Sequence, residues 1–471
     1  MKAFHKISNY LTLLTLCTCA ALSAHQASAE NIALVGGRLI DGFGGQPTAN
    51  SVILVKDGII ERVGTTDTIE IASSYKQVST EGMDVLPGLW ENHAHLMITG
   101  HANYSHWHPT YKSRLEDEIM PASAIQLLLA GVTSARDLGG PLAPSLSIRK
   151  RINEGELPGP TLYVTGPFIQ AEPYPGTEDY RWGVGSVREA RSKVNELADA
   201  GVDLIKFVDQ DKVEKDVARA VVETAHTRGL KVIGHSHRPD EIRVGIEIGI
   251  DNFEHTGLTT APEYPEDVMT LLKERTATGR VAGGPLYWTP TVEGLYQYEI
   301  TRANPEKLDD PCWKRGLKAD TIADIKASIQ KPGQLAYMQL TPLRKPTLKR
   351  KIEQLREAGV VFLMGTDSGI PMKFHCQSTW NELAIQVSEM QMRPMDAIRA
   401  ATYWPAVFMG VSDKVGTISE GKHADIIAVR GDVLRYINLL ADVNLVMKDG
   451  KVYKQDGKVI ETMLPSELRL Q

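Results

Sequence analysis

The histidines of this chain fall into close pairs, and one pair directly follows a strand-like segment. His93 and His95 come after an apolar run that ends in Leu89 and Trp90. Residues two apart on a β-strand share one face, so we expect both imidazoles to point to the same side. Two neutral imidazoles that converge in this way are good ligands for a divalent transition metal such as zinc. The pair therefore predicts a metal site.

The His-x-His pattern is weak on its own. With 13 histidines in 471 residues, chance gives roughly 0.4 such pairs. This chain has two more, His106/His108 and His235/His237. His106 and His108 lie in a polar, aromatic stretch with no strand before them. We expect that pair to belong to a loop or a substrate contact rather than to a metal site.

Three further side chains extend the pattern to other strand-like segments. His235, His255 and Asp367 each come directly after a short apolar run. The carboxyl ends of parallel strands in a barrel open onto one face, where catalytic groups collect. Each residue alone also fits a helix cap or a satisfied polar group. Their joint placement is what favours a shared metal site.

Lys206 is unusual because it interrupts the apolar run 203–208. An ammonium group turned into a barrel would be costly to desolvate. One alternative is that Lys206 points outward and extends between helices. The other is that its amine has reacted with CO2 to give a carbamate, an anion that can bridge two cations. The second alternative predicts a two-metal centre.

These side chains require a scaffold of parallel strands, and the middle of the chain predicts one. Amphipathic helices end at a glycine and are followed by short apolar strands, as at Gly131, Gly201 and Gly359. Strands that alternate with helices are parallel. We expect eight of them, at 85–90, 132–136, 161–165, 203–208, 231–234, 251–254, 286–290 and 360–365. This favours an α/β fold, a (β/α)8 TIM barrel, over an open doubly wound sheet.

Both ends of the chain have a different sequence pattern from the middle. Short alternating strands appear there, with matched Lys-Asp-Gly turns at Asp57-Gly58 and Asp449-Gly450. We expect 30–84 and 411–471 to form one small β-sandwich beside a barrel of residues 85–410. A helical stretch from about 293 to 345 is expected to cover part of the active-site face.

The first 29 residues have the layout of a secretory signal. Lys2 and Lys6 precede an apolar run, and Ala27-Ser28-Ala29 forms a small-residue cleavage site. We expect cleavage after Ala29 and a periplasmic or secreted protein, with a retained anchor as the alternative. No later segment predicts membrane insertion. An oxidising compartment permits a Cys312–Cys376 pair, but two distant cysteines do not predict one.

Charge and composition exclude some classes of partner. The net charge is −6, and Lys and Arg form no block, which disfavours nucleic acid. Like charges form no run that indicates a disordered tail. We expect a small-molecule or dipeptide-like substrate. A homo-oligomer is compatible with the sequence.

The chain resembles the amidohydrolase superfamily, in particular the imidazolonepropionase-like and Xaa-Pro or Xaa-Arg dipeptidase branch with its ochratoxin-hydrolysing amidases. The resemblance extends from about Ile32 to Val459. It is carried by GRLIDG from Gly37, LPGL from Leu86, GVTSARDLGG from Gly131, AIRAAT from Ala397 and GKHAD from Gly421.

The resemblance implies six metal-site residues, which are His93, His95, Lys206, His235, His255 and Asp367. The first two histidines and Asp367 would hold the more buried of two divalent metals, expected to be zinc. His235 and His255 would hold the second, and carboxylated Lys206 would bridge them. A water molecule with a lowered pKa would attack, and Asp367 would act as general base and then general acid.

The resemblance does not imply a substrate. The stretch from Gln170 to Gly176 (QAEPYPG) replaces a Gly- and His-rich loop of many relatives. Candidate pocket residues are Tyr174, Tyr180, Trp182, His106 and His108, with no role assigned. Hydrolysis of an amide or peptide-like C–N bond is the leading prediction. Alternatives are a lactone or phosphotriester hydrolase, a one-metal deaminase or cyclic-amide hydrolase, and a binding protein without turnover.

Overall fold

The computed structural model describes residues 30–257, 259–277, 284–330 and 336–470. The predicted signal segment lies outside these residues. The strands, β1 to β19 in chain order, are Ile32–Leu39, Thr48–Lys56, Ile59–Thr65, Lys76–Ser79, Met83–Pro87, Leu89–Ala94, Val132–Asp137, Thr161–Val164, Phe168–Gln170, Arg181–Gly183, Leu204–Phe207, Lys231–His235, Asn252–Glu254, Tyr287–Thr289, Val361–Phe362, Ile426–Arg430, Val443–Lys448, Lys451–Gln455 and Lys458–Val459.

The helices alternate with strands through the middle of the chain. In order, α1 to α14 are Tyr104–Tyr111, Met120–Leu129, Leu142–Asn153, Val187–Ala200, Lys215–Thr227, Pro239–Ile248, Glu266–Ala277, Glu293–Ala303, Ala319–Ser328, Ala336–Gln339, Thr341–Glu357, His375–Ser388, Pro394–Ala400 and Tyr403–Met409. Gly201 and Gly249 follow α4 and α6 with φ of 85° and 92°. Glycine takes this left-handed conformation without a steric penalty, so each helix can stop and turn onto the next strand.

Two parallel sheets form the middle of the molecule. One has the order β6-β7-β8 and the other β10-β9-β11-β12-β13-β14-β15. Backbone hydrogen bonds join them at both edges, from Asp203 N to Val164 O at 2.9 Å and from Asn92 N to Met364 O at 3.1 Å. The result is a TIM-barrel-like α/β arrangement. Each of the eight predicted segments contains a parallel strand, and β9 and β10 are additional.

The first predicted strand, 85–90, is in fact two strands that meet at Gly88. Residues before it pair antiparallel with β16, where Leu86 is opposite Ile427. Residues after it begin β6, where Leu89 is opposite Val132. A Cβ atom on Gly88 would lie 2.1 Å from Thr133 Oγ1, so the chain can change sheets here only with a glycine. The apolar run hides this break because both strands are buried.

The two ends of the chain share one β-rich sheet of nine strands. Its order is β19-β18-β17-β16-β5-β1-β2-β3, with β4 beside β1. Buried side chains from both ends form its core, among them Leu34 and Ile426. The Asp57-Gly58 and Asp449-Gly450 turns have positive φ at both positions, as hairpin turns of type I′ require.

Helices α8 and α9 lie in the long stretch after β14, and a disulfide ties that stretch to α12. Cys312 and Cys376 are bonded, with their Cα atoms 6.0 Å apart. Beside the bond, the Trp313 and Phe374 rings stack with centroids 4.7 Å apart. Among the described residues, no helix is both long and apolar enough to cross a bilayer.

Candidate metal centre

His93 lies at the end of β6 with its orientation fixed by a buried carboxylate. Its Nδ1 atom lies 2.7 Å from Glu254 Oε2. Arg136 donates to the other oxygen of Glu254 at 2.9 Å, which holds that carboxyl group in place. The proton of neutral His93 therefore belongs on Nδ1. Its Nε2 atom is buried without a hydrogen-bond partner, and its lone pair faces the carboxyl ends of the strands.

Asp367 follows β15 and faces both histidines of the first pair. Its Oδ1 atom lies 3.4 Å from Nε2 of His93 and 3.1 Å from Nε2 of His95. Asp367 has a φ of 66°, a left-handed conformation that a non-glycine residue rarely adopts. Its backbone N donates to His93 O at 2.7 Å. This bond holds the unusual conformation and places the carboxylate over the two rings.

A second cluster adjoins the first. One ring nitrogen from each of His235, His237 and His255 lies within 4.8 Å of the others, and His255 also forms such a group with His93 and Asp367. His255 is shared by both groups. Its Nδ1 atom lies 2.8 Å from Thr291 Oγ1, and its Nε2 atom is buried without a partner. Like His93, His255 thus presents a free Nε2 lone pair.

Lys206 points inward from β11. Its side chain is fully buried, and Nζ has no hydrogen-bond partner among the described residues. Burial lowers the pKa of Lys206 to about 8, although the negative charges of Glu254 and Asp367 act in the opposite direction. Its charge in turn lowers the pKa of both His93 and His235. The amine is therefore close to both histidine groups and loses its proton more readily than an exposed lysine does.

The protonation states of the cluster suit a metal centre. Burial lowers the pKa of His93 to about 4 and that of His237 to about 3. Burial also holds the pKa of His235 and His255 well below the usual value. Burial alone would raise the pKa of Asp367, but the neighbouring histidines outweigh it and keep the carboxyl ionised. Neutral imidazoles and an ionised carboxylate are the ligand forms that zinc requires.

The six residues predicted from the sequence therefore converge, and the structure adds groups that the sequence left unassigned. His237 lies two residues beyond His235, and the sequence gives it no role. Its ring stacks on the His255 ring, with centroids 4.2 Å apart. Glu254 and Arg136 were not singled out, because their function depends on contacts between β7, β13 and β6. Arg136 also donates to Asn92 O at 2.7 Å, which joins β7 to β6.

The remaining histidine pair lies outside both clusters. His106 and His108 belong to α1, not to a strand end. His106 Nε2 lies 2.8 Å from Asp324 of α9, and His108 Nε2 lies 2.9 Å from Asp179. His106 also forms a group with His101 and Asp324 that could hold a metal ion, so the expectation that this pair is a loop or substrate-contact feature stays a prediction.

A cavity of about 720 Å³ opens above the two clusters. Its described lining includes Tyr174, Tyr180 and His108, but neither His106 nor Trp182. The walls come from the segments that follow β6 and β8. The expectation that the stretch 293–345 covers the site is not met by its described residues. That stretch packs behind α1 instead, where Asp324 holds His106.

A protein family and several solved structures match this chain. The model of the amidohydrolase family matches residues 85–454. Among solved structures, a Xaa-Pro dipeptidase with bound methionine is 23% identical, with a TM-score of 0.71, and the match covers 90% of this chain and 100% of that one. Phenylurea hydrolase B is 20% identical, with a TM-score of 0.72 and coverage of 93% and 99%.

A third solved structure, the ochratoxinase of A. niger, is 24% identical, with a TM-score of 0.66 and coverage of 94% and 99%. At these identities the likeness shows the fold alone. No curated protein matches the chain. The family match spans most of the sequence and contains every residue of the two clusters described above. The chain belongs to the amidohydrolase family, whose members are hydrolases.

Proposed function

We propose that this protein is a binuclear metal-dependent hydrolase that cleaves an amide or peptide-like C–N bond. One observation carries the proposal. The buried, unpartnered Nζ of Lys206 lies amid two groups of ligand atoms, one around Asp367 and one around His235. A lone buried amine has no structural use there. As a carbamate it would supply the anionic oxygens that two cations need.

The proposal has two metal positions. His93, His95 and Asp367 would hold one divalent cation, and His235 and His255 the other. Carboxylation of Lys206 joins its neutral amine to CO2 and releases a proton. The resulting anion would be buried near Asp367 and Glu254, so it needs the cations to offset repulsion. Imidazole and carboxylate ligands favour zinc.

The bound cations, Asp367 and Glu254 would each have a separate role in hydrolysis. Bound cations would polarise the scissile carbonyl and lower the pKa of a water molecule. Asp367, ionised and 3.1 Å from His95 Nε2, accepts the proton of the attacking water. It then delivers that proton to the nitrogen as the C–N bond breaks. Glu254 keeps the His93 proton on Nδ1, so that Nε2 remains a ligand throughout.

The proposal also includes the domain architecture of the protein and its location in the cell. The hydrogen bonds at both edges of the two parallel sheets support a closed (β/α)8 barrel over 85–410, with a β-sandwich from 30–84 and 411–471. The Cys312–Cys376 disulfide supports a periplasmic or secreted protein, because such bonds persist in oxidising compartments. Sequencing the N-terminus of the protein recovered from the periplasm would test cleavage after Ala29.

The test of function combines metal analysis with a substrate panel. Elemental analysis of the purified protein should find about two divalent ions per chain. N-acyl amino acids and dipeptides should be hydrolysed, and lactones and phosphotriesters should not. His255→Asn should lose metal, whereas His423→Asn, a control at a half-buried histidine outside the candidate metal groups of the described residues, should not. Protein that holds two metals yet prefers a lactone or phosphotriester would contradict the assignment to C–N bonds.

A further inference from the structure

Arg181 stands in the wall of the catalytic cavity, on the short strand β10 that the sequence did not predict. Its guanidinium carbon lies 5.0, 4.7 and 5.5 Å from the ring centres of Phe168, Tyr174 and Tyr180. The Phe168 ring in turn contacts the His95 ring edge to face, with centroids 5.7 Å apart. Arg181 and a candidate metal ligand thus contact the same aromatic ring.

No carboxylate balances this arginine among the described residues. Arg181 donates to the neutral amide oxygen of Gln170 at 2.9 Å, and its Nε atom is buried without a partner. The nearest acid in sequence, Asp179, is occupied by His108 and by Lys112, each at 2.9 Å. A guanidinium remains charged under all ordinary conditions. Aromatic faces offset part of that charge, but they do not supply the hydrogen-bond acceptor that Nε lacks.

An anion could bind to Arg181, and the other charged residues of the cavity indicate which kind. Among the described lining residues, Arg181 is the only lysine or arginine, and Asp367 is the only aspartate or glutamate. Asp367 belongs to the metal centre. One planar fork of donors matches one carboxylate in a bidentate pair. A dianion such as a phosphate monoester would leave a negative charge uncompensated.

We propose that Arg181 binds the free carboxylate of the substrate, so that the protein acts on N-acyl amino acids or dipeptides with an unblocked carboxyl end. This inference rests on the proposed function. With the scissile carbonyl at the metal centre, the carboxylate of the amino-acid part reaches the aromatic wall. Tyr174 and Tyr180 flank the guanidinium, exclude water and favour an apolar side chain on the same unit.

Two matched ligands test the carboxylate directly. N-acetyl-L-phenylalanine and N-acetyl-L-phenylalaninamide differ only at this group, which is an anionic carboxylate in the first and a neutral amide in the second. We would measure binding by calorimetry and turnover by steady-state kinetics, using the metal-loaded full chain. Wild type should prefer the carboxylate, and Arg181→Gln should lose about 10- to 100-fold in affinity and kcat/KM for it. The affinity for the amide should not change.

Two further variants complete the experiment. Arg181→Lys keeps the positive charge but loses the two parallel N–H donors of the guanidinium. Its affinity for the carboxylate ligand should lie between those of wild type and Arg181→Gln. Arg188→Gln removes an exposed arginine in the first turn of α4 and should behave as wild type. Thermal unfolding would verify that each variant is folded. If Arg181→Gln does not fold, the ratio of the two affinities in Arg181→Lys decides, and a wild-type ratio overturns the inference.

The outcomes separate this inference from the proposed function. Equal weakening of both ligands in Arg181→Gln would show that Arg181 only holds the segment 168–183, and the inference would be wrong. A wild type that does not distinguish the two ligands would also overturn it. If neither ligand is hydrolysed but Arg181→Gln selectively loses the carboxylate, the carboxylate site is supported and the proposed C–N hydrolysis is what fails.

Discussion

His93 Nδ1 and Glu254 Oε2 lie 2.7 Å apart, and both side chains are buried. The bond connects the first strand end of the candidate metal centre to the strand that precedes His255. It fixes the tautomer of His93 from outside the ligand set. Such outer contacts determine how well a histidine holds a metal.

Glu254→Gln should therefore weaken metal binding without removing a ligand. The amide keeps the shape but loses the negative charge that accepts the Nδ1 proton. We expect about a 10- to 100-fold loss of metal affinity, measured by competition with a chelator. Glu263→Gln, at an exposed position, is the control. Unchanged affinity in Glu254→Gln would mean that the His93 tautomer is set by another group.

Lys206→Ala should remove metal from the centre and abolish turnover, because the bridging anion is lost. A short carboxylic acid such as propionate fits the space that the side chain leaves, and it should restore part of the activity. Lys212→Ala, which removes an exposed lysine five residues beyond β11, should keep both metals. Metal content that is the same in Lys206→Ala and wild type would rule out the bridging role.

Asp367→Asn should keep most of the metal and lose turnover by about 10²- to 10⁴-fold. Asparagine is nearly isosteric and tolerates the left-handed φ of 66° at this position. The amide retains a ligand oxygen but cannot accept and pass on the proton. Asp320→Asn, at an exposed position outside the candidate metal groups of the described residues, is the control. Substantial turnover in Asp367→Asn would assign the proton transfer to a different residue.

The sequence carries the local part of this site and misses the part that depends on tertiary contacts. A histidine or aspartate at the end of an apolar strand is visible in the printed chain, as for His235 and Asp367. The partner that orients His93 is not visible, because Glu254 lies 161 positions away and looks like any other strand residue. The break at Gly88 is hidden for a similar reason. Two buried strands in succession give one continuous apolar run.

Removing the disulfide should lower stability but leave the metal centre intact. The Cys312–Cys376 bond closes a loop across a sequence separation of 64 residues, which restricts the unfolded chain. Cys312→Ser/Cys376→Ser should lose about 2–4 kcal/mol of unfolding free energy, measured by urea denaturation of the metal-free protein. Reductant should destabilise wild type to the same degree and have no effect on the double variant. A reductant effect on the double variant would point to a different cause.

Gly88→Ala should destabilise the junction between the β-rich sheet and the parallel sheet that begins with β6. The added Cβ would lie 2.1 Å from Thr133 Oγ1 and 2.3 Å from its Cγ2, and Thr133 is buried. We expect a loss of about 1–3 kcal/mol, the usual range for overpacking a core. Thr133→Ala deletes both of those atoms, so the double variant should recover part of the loss. If the two effects were simply additive in a double-mutant cycle, the clash with Thr133 would not be the cause, and the strain would lie in the backbone of Gly88 itself.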